Sequence, residues 1–392
     1  MSNPIERIRD WQDELTAWRR DFHAHPELGL EETRTAALVA ERLEAMGYEV
    51  HRGVGVTGVV GVLRNGHGNR AIGLRADMDA LPMQEEGNPA YKSTNPGVMH
   101  GCGHDGHTTM LLAAARYLAE TRNFDGTVNL IFQPAEEGRG GALGMIEDGL
   151  FQRFPCDEIY ALHNRPGMPV GKYGIRPGPM MAGCAFWDLH IHGRGGHGAW
   201  PQYAIDPVVI GAQLVTAFQT IVARNVPPTD TAVLTTTGFD AGKAYNVIPE
   251  HVSLKGTARA YNETTMQLIE DRMRALATSI CAGFGATAEL IFEVVTVPVL
   301  NAAEQTEALA EAAAGLVGQG QVNLDHPSSM GSEDFSYMMR EVPGAYINIG
   351  NGEGSHGGCE LHNPAYDFND HAIPYGAGVL AAVVEKRLVK AG

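Results

Sequence analysis

Over residues 3–24 and 31–46, apolar side chains recur at three- and four-residue spacing. This predicts two amphipathic helices, with Gly47 placed to stop the second. The period then changes. "YEVHRG", "TGVVGVLR" and "AIGLRAD" are short β-type runs, the last two parted by the turn-prone "NGHGN". A glycine-rich loop over 97–107 feeds an apolar helix, "TTMLLAAARYLAE". "TVNLIFQ" and "DEIYALHN" follow as strands with polar residues at their ends. Strands alternating with helices predict a mostly parallel α/β sheet.

Near residue 182 the style shifts. Strands are expected at 185–192, 231–238, 251–259 and 286–295, with helices at 206–223 and 263–282. That order, βαββαβ, is the ferredoxin-like unit. After Pro298 the helix "AEQTEALAEAAAGLVG" and the strand "GAYINIG" return to the first style. The expected architecture is an α/β domain over 1–182 and 298–392, interrupted by a small α+β domain over 183–297.

With 44% hydrophobic residues the chain has material for a substantial core, and 392 residues suit one large or two ordinary domains. A net charge of −17 argues against nucleic acid, whose phosphates attract basic surfaces. The first 25 residues have no uninterrupted apolar core, so no signal peptide is expected. No apolar run near the length of a membrane span is expected either. The five cysteines are odd in number and scattered, which points to a reducing compartment, the cytoplasm. Sixteen histidines is a high count, and several stand beside Asp, Glu or Cys.

One motif misleads. In "HGRGGHG", Gly193, Gly195 and Gly198 fit the GxGxxG spacing of dinucleotide-binding loops. Such glycines should open a helix whose N-terminus receives a pyrophosphate. Here Pro201 interrupts any such helix, and no acidic residue lies about 20 positions on. A nicotinamide dehydrogenase is therefore set aside. The glycines read as a tight turn that presents His197.

Polar residues gather where the strands end, which is where open α/β sheets place their sites. "RADMDALP" carries Asp77 and Asp79, and "MHGCGHDGHTTM" carries His100, Cys102, His104, Asp105 and His107. "PAEEG" carries Glu136 and Glu137, "LHN" carries His163, and "ELHNPAYDFND" carries His362. Thiolate, imidazole and carboxylate are the donor set of zinc and related divalent ions. Cys102 and His104, two apart in a glycine-rich loop, reach one point. Glu137, His163 and His362 each flank a strand end. Five protein ligands exceed what one catalytic ion takes and suit two ions about 3.5–4 Å apart with one ligand shared. Glu136 is then placed to take a proton from an activated water and pass it to a departing amine. Each residue also has a plain structural reading. The Cys-x-His pair is without metal, "EEG" is a solvated turn, His163 is a core histidine, and Asp79 caps a turn before Pro82. His107 is expected to cap its helix or support a ligand, and His23 and His25 to be structural or supporting.

Together, "RRDFHAHPELGLEE", "RADMDALP", "MHGCGHDGHTTMLL", "PAEEG", "HGRGGHGAWP" and "LHNPAYDFND" resemble the aminoacylase and hippurate hydrolase group of di-metal amidohydrolases, from about residue 15 to residue 385. The resemblance implies a discontinuous metallopeptidase catalytic domain with an inserted ferredoxin-like dimerisation domain. It implies two divalent ions, manganese or zinc with nickel and cobalt as alternatives, held by Cys102, His104, Glu137, His163 and His362. It implies Glu136 as general base and acid. Asp79 matches an aspartate that orients a histidine ligand in the wider family. Asp77 stands where that histidine would be, a departure that accompanies the cysteine-containing loop. His197 matches a histidine lent to the partner's site across a homodimer, or dimer-based tetramer, joined through 183–297. Asn246 in "YNVIP" and Arg259 in "GTARAY" match positions that hold the tetrahedral oxygen or the substrate carboxylate. "MGSEDFSYM", 330–338, would form a wall of the acyl pocket.

The implied reaction is hydrolysis of an N-acyl amino acid to a carboxylate and a free amino acid. A dipeptidase, an N-acetyl-diaminopimelate deacetylase and an auxin-conjugate hydrolase are alternatives on the same site. A non-catalytic metal-binding protein is the alternative from a different class, and the second carboxylate, Glu136, argues against it. The expected partner is a small-molecule substrate, with neither nucleic acid nor membrane.

Overall fold

Four parallel strands form the centre of an eight-stranded mixed sheet. Ala71–Asp77 runs parallel to Gly126–Gln133 on one side and to Glu158–Pro166 on the other, and Glu158–Pro166 runs parallel to Gly344–Gly352. Antiparallel Glu49–Val54 and Gly58–Asn65 complete one edge. The two-residue strands Tyr173–Gly174 and Val322–Asn323 complete the other. All seven residues of Ala71–Asp77 are buried, as a strand covered on both faces requires. This is a computed structural model describing residues 3–390 apart from 356.

The chain divides into two units. The sheet belongs to the first, which runs to Met180 and resumes over Leu300–Pro327 and from Asp334. Its central helix, His104–Thr121, is buried along most of its length and packs against Ile373–Arg387. The single helix expected over 3–24 is two, Pro4–Arg9 and Gln12–Ala24, separated where Trp11 leaves helical geometry and turns inward. Periodicity did not mark this break, because Ile5, Ile8, Leu15 and Phe22 all face the core.

The second unit comprises Met181–Val299 with Ser328–Glu333. Its strands Gly183–His192, Ala232–Asp240, His251–Ala260 and Thr287–Thr296 form a wholly antiparallel sheet. In space the order is second, third, first, fourth, the ferredoxin-like arrangement. Helices Pro207–Arg224 and Glu263–Gly283 bury Ile210, Leu214, Phe218, Ile269 and Met273 in one core with Trp187, Leu189 and Leu254. The excursion Ser328–Glu333 is bonded within this unit. Ala182 N–H donates to the Ser329 and Gly331 carbonyls, and Arg259 Nη1 donates to the Met330 carbonyl at 2.6 Å.

The expectation of no apolar run near the length of a membrane span needs a correction. Pro207–Arg224 is long and apolar enough by length and composition. Its buried residues repeat at helical spacing and pack into the unit's core, so it is read as a core helix.

Candidate active site

The first unit brings all five expected ligands to the C-terminal ends of its central strands. Ala71–Asp77 leads through Asp79 to the loop bearing Cys102 and then to His104, the first residue of its helix. Gly103 between them has φ 95°, and a Cβ there would meet Asn164 Oδ1 at 2.5 Å, so glycine is required where the chain turns from loop to helix. Glu136 and Glu137 follow Gly126–Gln133 in a turn bounded by Ala135 (φ 52°) and Gly138 (φ 79°). His163 lies in Glu158–Pro166, opposite Asn348. His362, itself at φ 61°, donates its backbone N–H to Gly101 O at 2.8 Å, tying its loop to the cysteine loop.

Two groups of donor atoms emerge, each with its atoms within 4.8 Å of one another: Cys102, His104 and His163, and Cys102, Glu137 and His362. Cys102 is common to both. Its Sγ lies 3.4 Å from His163 Nε2, and His362 Nε2 lies 3.1 Å from Glu137 Oε1. Glu136 falls in a third group with His104 and Glu137 at the same spacing.

The histidines are aimed by their other nitrogens. His104 Nδ1 is 2.9 Å from the Asp79 carbonyl and 3.2 Å from Asp79 Oδ1. The second Asp79 oxygen accepts the Glu137 N–H at 2.9 Å. His163 Nδ1 donates to Asn164 O at 2.8 Å, which leaves Nε2 for the site. Such bonds fix tautomer and ring orientation. His107 is different. Its Nδ1 meets Asp77 Oδ1 and its Nε2 meets Asn164 Oδ1, both at 2.7 Å. Both nitrogens are engaged, so the grouping of Asp77, His104 and His107 is a support and His107 is no ligand.

The donor set fits a metal. His104 Nε2 is a buried polar atom with no hydrogen-bond partner among the described residues, although buried polar groups are as a rule bonded. The electrostatics agree. Burial opposes charge on His104, but Asp77, Cys102 and Asp79 outweigh it and raise its pKa well above the usual range. Hydrogen bonds to Cys102 and Glu137 raise His362 to about 10. Burial, then the Glu137 charge, pushes the Cys102 thiol up. Protons therefore sit where a cation would neutralise the same charges.

Supporting residues appear, several of which sequence did not single out. His23 is held between Asp105 Oδ2 (2.8 Å) and Glu85 Oε1 (3.3 Å). Arg19 braces Asp370 at 2.5 Å and Asp367 at 3.1 Å. Asn164 Nδ2 donates to Tyr366 Oη at 2.6 Å. No motif spacing marks Glu85 or Tyr366; only adjacency to His163 pointed to Asn164. His25 is half-buried and bonded to the Asp21 carbonyl.

In the second unit, His197 and Asn246 meet on a two-residue ribbon. Val247 pairs with His197, and Gly198 N–H donates to Asn246 O at 2.8 Å. Both residues are exposed. The glycines open no helix; a Cβ at Gly193 would strike Ile205 O at 2.2 Å, so close approach of backbones explains the pattern. Arg259 does not join them. It lies eight residues along its strand from His251, where the ribbon departs, roughly 27 Å at about 3.4 Å per residue.

The model of peptidase family M20/M25/M40 matches residues 73–386. The chain belongs to this family. Hippurate hydrolase of Campylobacter jejuni is 42% identical over 386 residues, covering 98% of this chain and 100% of that one. N-acetylcysteine deacetylase of Bacillus subtilis is 35% identical, covering 96% and 98%. A dinuclear metal-binding M20 peptidase of Bacillus subtilis superposes with a TM-score of 0.85 at 32% identity, covering 97% and 99%. This M20-family chain is a metal-dependent amidohydrolase that cleaves the amide bond of N-acyl amino acids, giving a carboxylate and a free amino acid.

Proposed function

We propose that the chain hydrolyses hippurate-like substrates, in which an aromatic or short acyl group is joined to an amino acid, at a site holding two divalent ions. The observation that carries this is Cys102 shared between two donor groups, with Glu136 beside them. Cys102, His104 and His163 would hold one ion, and Cys102, Glu137 and His362 the other. The thiolate, imidazole and carboxylate donors suit zinc; manganese is the other leading choice, with nickel and cobalt as alternatives. When bound, the pair supplies Lewis acidity and lowers the pKa of water.

Glu136 acts as the proton carrier. Its carboxylate takes the proton from the attacking water and delivers it to the departing amine, so one group serves both halves of the reaction. Asp79 keeps His104 and the Glu137 turn in place. The separation of Arg259 from the His197–Asn246 ribbon supports a division of labour between subunits. Arg259 offers a fork for the substrate carboxylate. The partner subunit's His197 and Asn246 offer donors to the tetrahedral oxygen, which makes the working unit a dimer through 183–297. Dipeptides and other acyl conjugates are the competing substrates. The five free cysteines, with no disulfide among the described residues, suit the cytoplasm.

The test is Glu136→Gln, assayed on hippurate, acetyl-amino acids and dipeptides with metal content measured in parallel. Turnover should vanish while metal is retained. A near-normal rate would remove Glu136 from the mechanism, and a preference for dipeptides would overturn the substrate class.

A further inference from the structure

We propose that a cavity at the far edge of the large sheet binds a small anion carrying two or more negative charges, a phosphate or a dicarboxylate. The cavity measures about 530 Å³ and is lined by Arg165, Lys172 and His326, with Gln321, Asn323 and Tyr173 among the rest. It contains none of the residues assigned to metal or catalysis.

Its charge runs against the chain. The protein carries 46 acidic and 29 basic residues, yet among the described residues no Asp or Glu lines this cavity. Most guanidinium groups of the first unit are matched to acids, as Arg387 is to Glu158 and Glu304. The Arg165 and Lys172 side chains have no ion pair or hydrogen bond among the described residues. In a chain with net charge −17, two unmatched cations facing one cavity mark a place where negative charge is welcome.

The walls are built rather than incidental. Arg165 lies two residues beyond His163 on the same strand, opposite Gly350. Lys172 follows a turn closed by its own N–H to Pro169 O at 3.1 Å, and its carbonyl accepts the Gly350 N–H at 3.0 Å. His326 comes from a different segment, and its ring rests on Gly174. A Cβ at Gly174 would lie 2.3 Å from His326 Nδ1, so the missing side chain makes room for the imidazole. Arg176 Nη1 reaches the His326 carbonyl at 3.5 Å. Burial and the Arg165 and Arg176 charges lower the His326 pKa, so a neutral imidazole stands beside two fixed cations.

These groups suit one kind of ligand. Arginine offers a planar fork to carboxylate or phosphate oxygens, and lysine adds a point charge. Imidazole, Gln321 and Asn323 can donate hydrogen bonds to remaining oxygens. The position is also apt, because open α/β sheets bind ligands beyond the carboxyl ends of their strands.

The experiment is calorimetric titration of the metal-loaded enzyme with inorganic phosphate and, separately, with succinate. Wild type is compared with the double variant Arg165→Gln, Lys172→Gln, whose fold is checked by thermal melting. Saturable binding of one anion should weaken by roughly tenfold or more in the double variant. Hydrolysis in buffer free of both anions should stay unchanged. Binding of phosphate alone assigns a phosphate ligand, and binding of succinate alone a dicarboxylate. Absence of saturable binding for both, or binding that the double variant leaves intact, overturns the proposal. Because binding is read directly, this outcome is independent of whether the substrate reading holds.

Discussion

Asp79 Oδ1 lies 3.2 Å from His104 Nδ1, and the Asp79 carbonyl lies 2.9 Å from the same nitrogen. The residue also accepts the Glu137 N–H. One aspartate thus orients a proposed ligand and anchors the turn that carries another. Removing such outer partners of a metal site costs roughly 10–100-fold in metal affinity or activity. Asp79→Ala is expected to weaken metal binding by about that factor, measured by competition with a chromophoric chelator. Wild-type affinity in the variant would leave Asp79 as a turn cap and nothing more.

Metal uptake should release protons and strengthen as pH rises. In the metal-free site, hydrogen bonds to Cys102 and Glu137 raise His362 to about 10, and burial raises the Cys102 thiol. Both groups carry protons at neutral pH, and both must lose them to become ligands. Calorimetry of metal binding in buffers of differing ionisation heat counts the protons released. A heat independent of buffer would show that neither group is a protonated ligand in the free site.

The division between subunits has a direct test. His197→Ala is expected to lower kcat by roughly 10²–10³, the cost of losing one donor to developing negative charge. Metal content should not change, because His197 belongs to none of the donor groups and the five clustered ligands all belong to the first unit. Glu136→Gln subunits lack the proton carrier but keep His197. Co-refolded mixtures of the two variants should recover part of the activity, since a mixed dimer holds one site with both residues intact. Recovery no greater than the sum of the separate variants would place His197 in its own subunit's site, or outside the reaction.

Much of this arrangement was legible in the chain. Long elements with a clear period, such as Pro207–Arg224 and His251–Ala260, were read within one or two residues. Their burial is periodic, and periodic burial is what a sequence displays. The grouping of Cys102, His104, Glu137, His163 and His362 was legible because each lies near or beyond the C-terminal end of a strand, and the topology gathers strand ends. The order of strands in the large sheet was not legible, because hydrophobic pattern does not specify neighbours. Two-residue strands such as Tyr173–Gly174 and Gly196–His197 are too short to show a period. The return of Ser328–Glu333 to the second unit rests on backbone bonds to Ala182 and a contact from Arg259, which no side-chain pattern announces. Glu85 escaped notice for the same reason, since its role is fixed by His23, 62 residues away.

His23 gives a pH-dependent stability that separates it from a merely packed histidine. Burial opposes its charge, but hydrogen bonds to Asp105 and Glu85 prevail and raise its pKa to about 9 from 6.5. A group raised in the folded state binds its proton more tightly there, so folding is favoured where that proton is bound in the folded state alone or in both states. The contribution is fully present below about pH 6.5 and is lost as pH climbs through 9. Its full size is on the order of 3 kcal/mol, from about 1.4 kcal/mol per unit. The melting temperature of the metal-saturated protein should therefore fall between pH 7 and 9 by several degrees. His23→Gln keeps a polar side chain but does not titrate. It should be less stable than wild type at pH 6.5 and show a flatter profile above it, so that the two curves converge towards pH 9. Parallel profiles would mean that the proton on His23 contributes nothing and that the residue acts by packing alone.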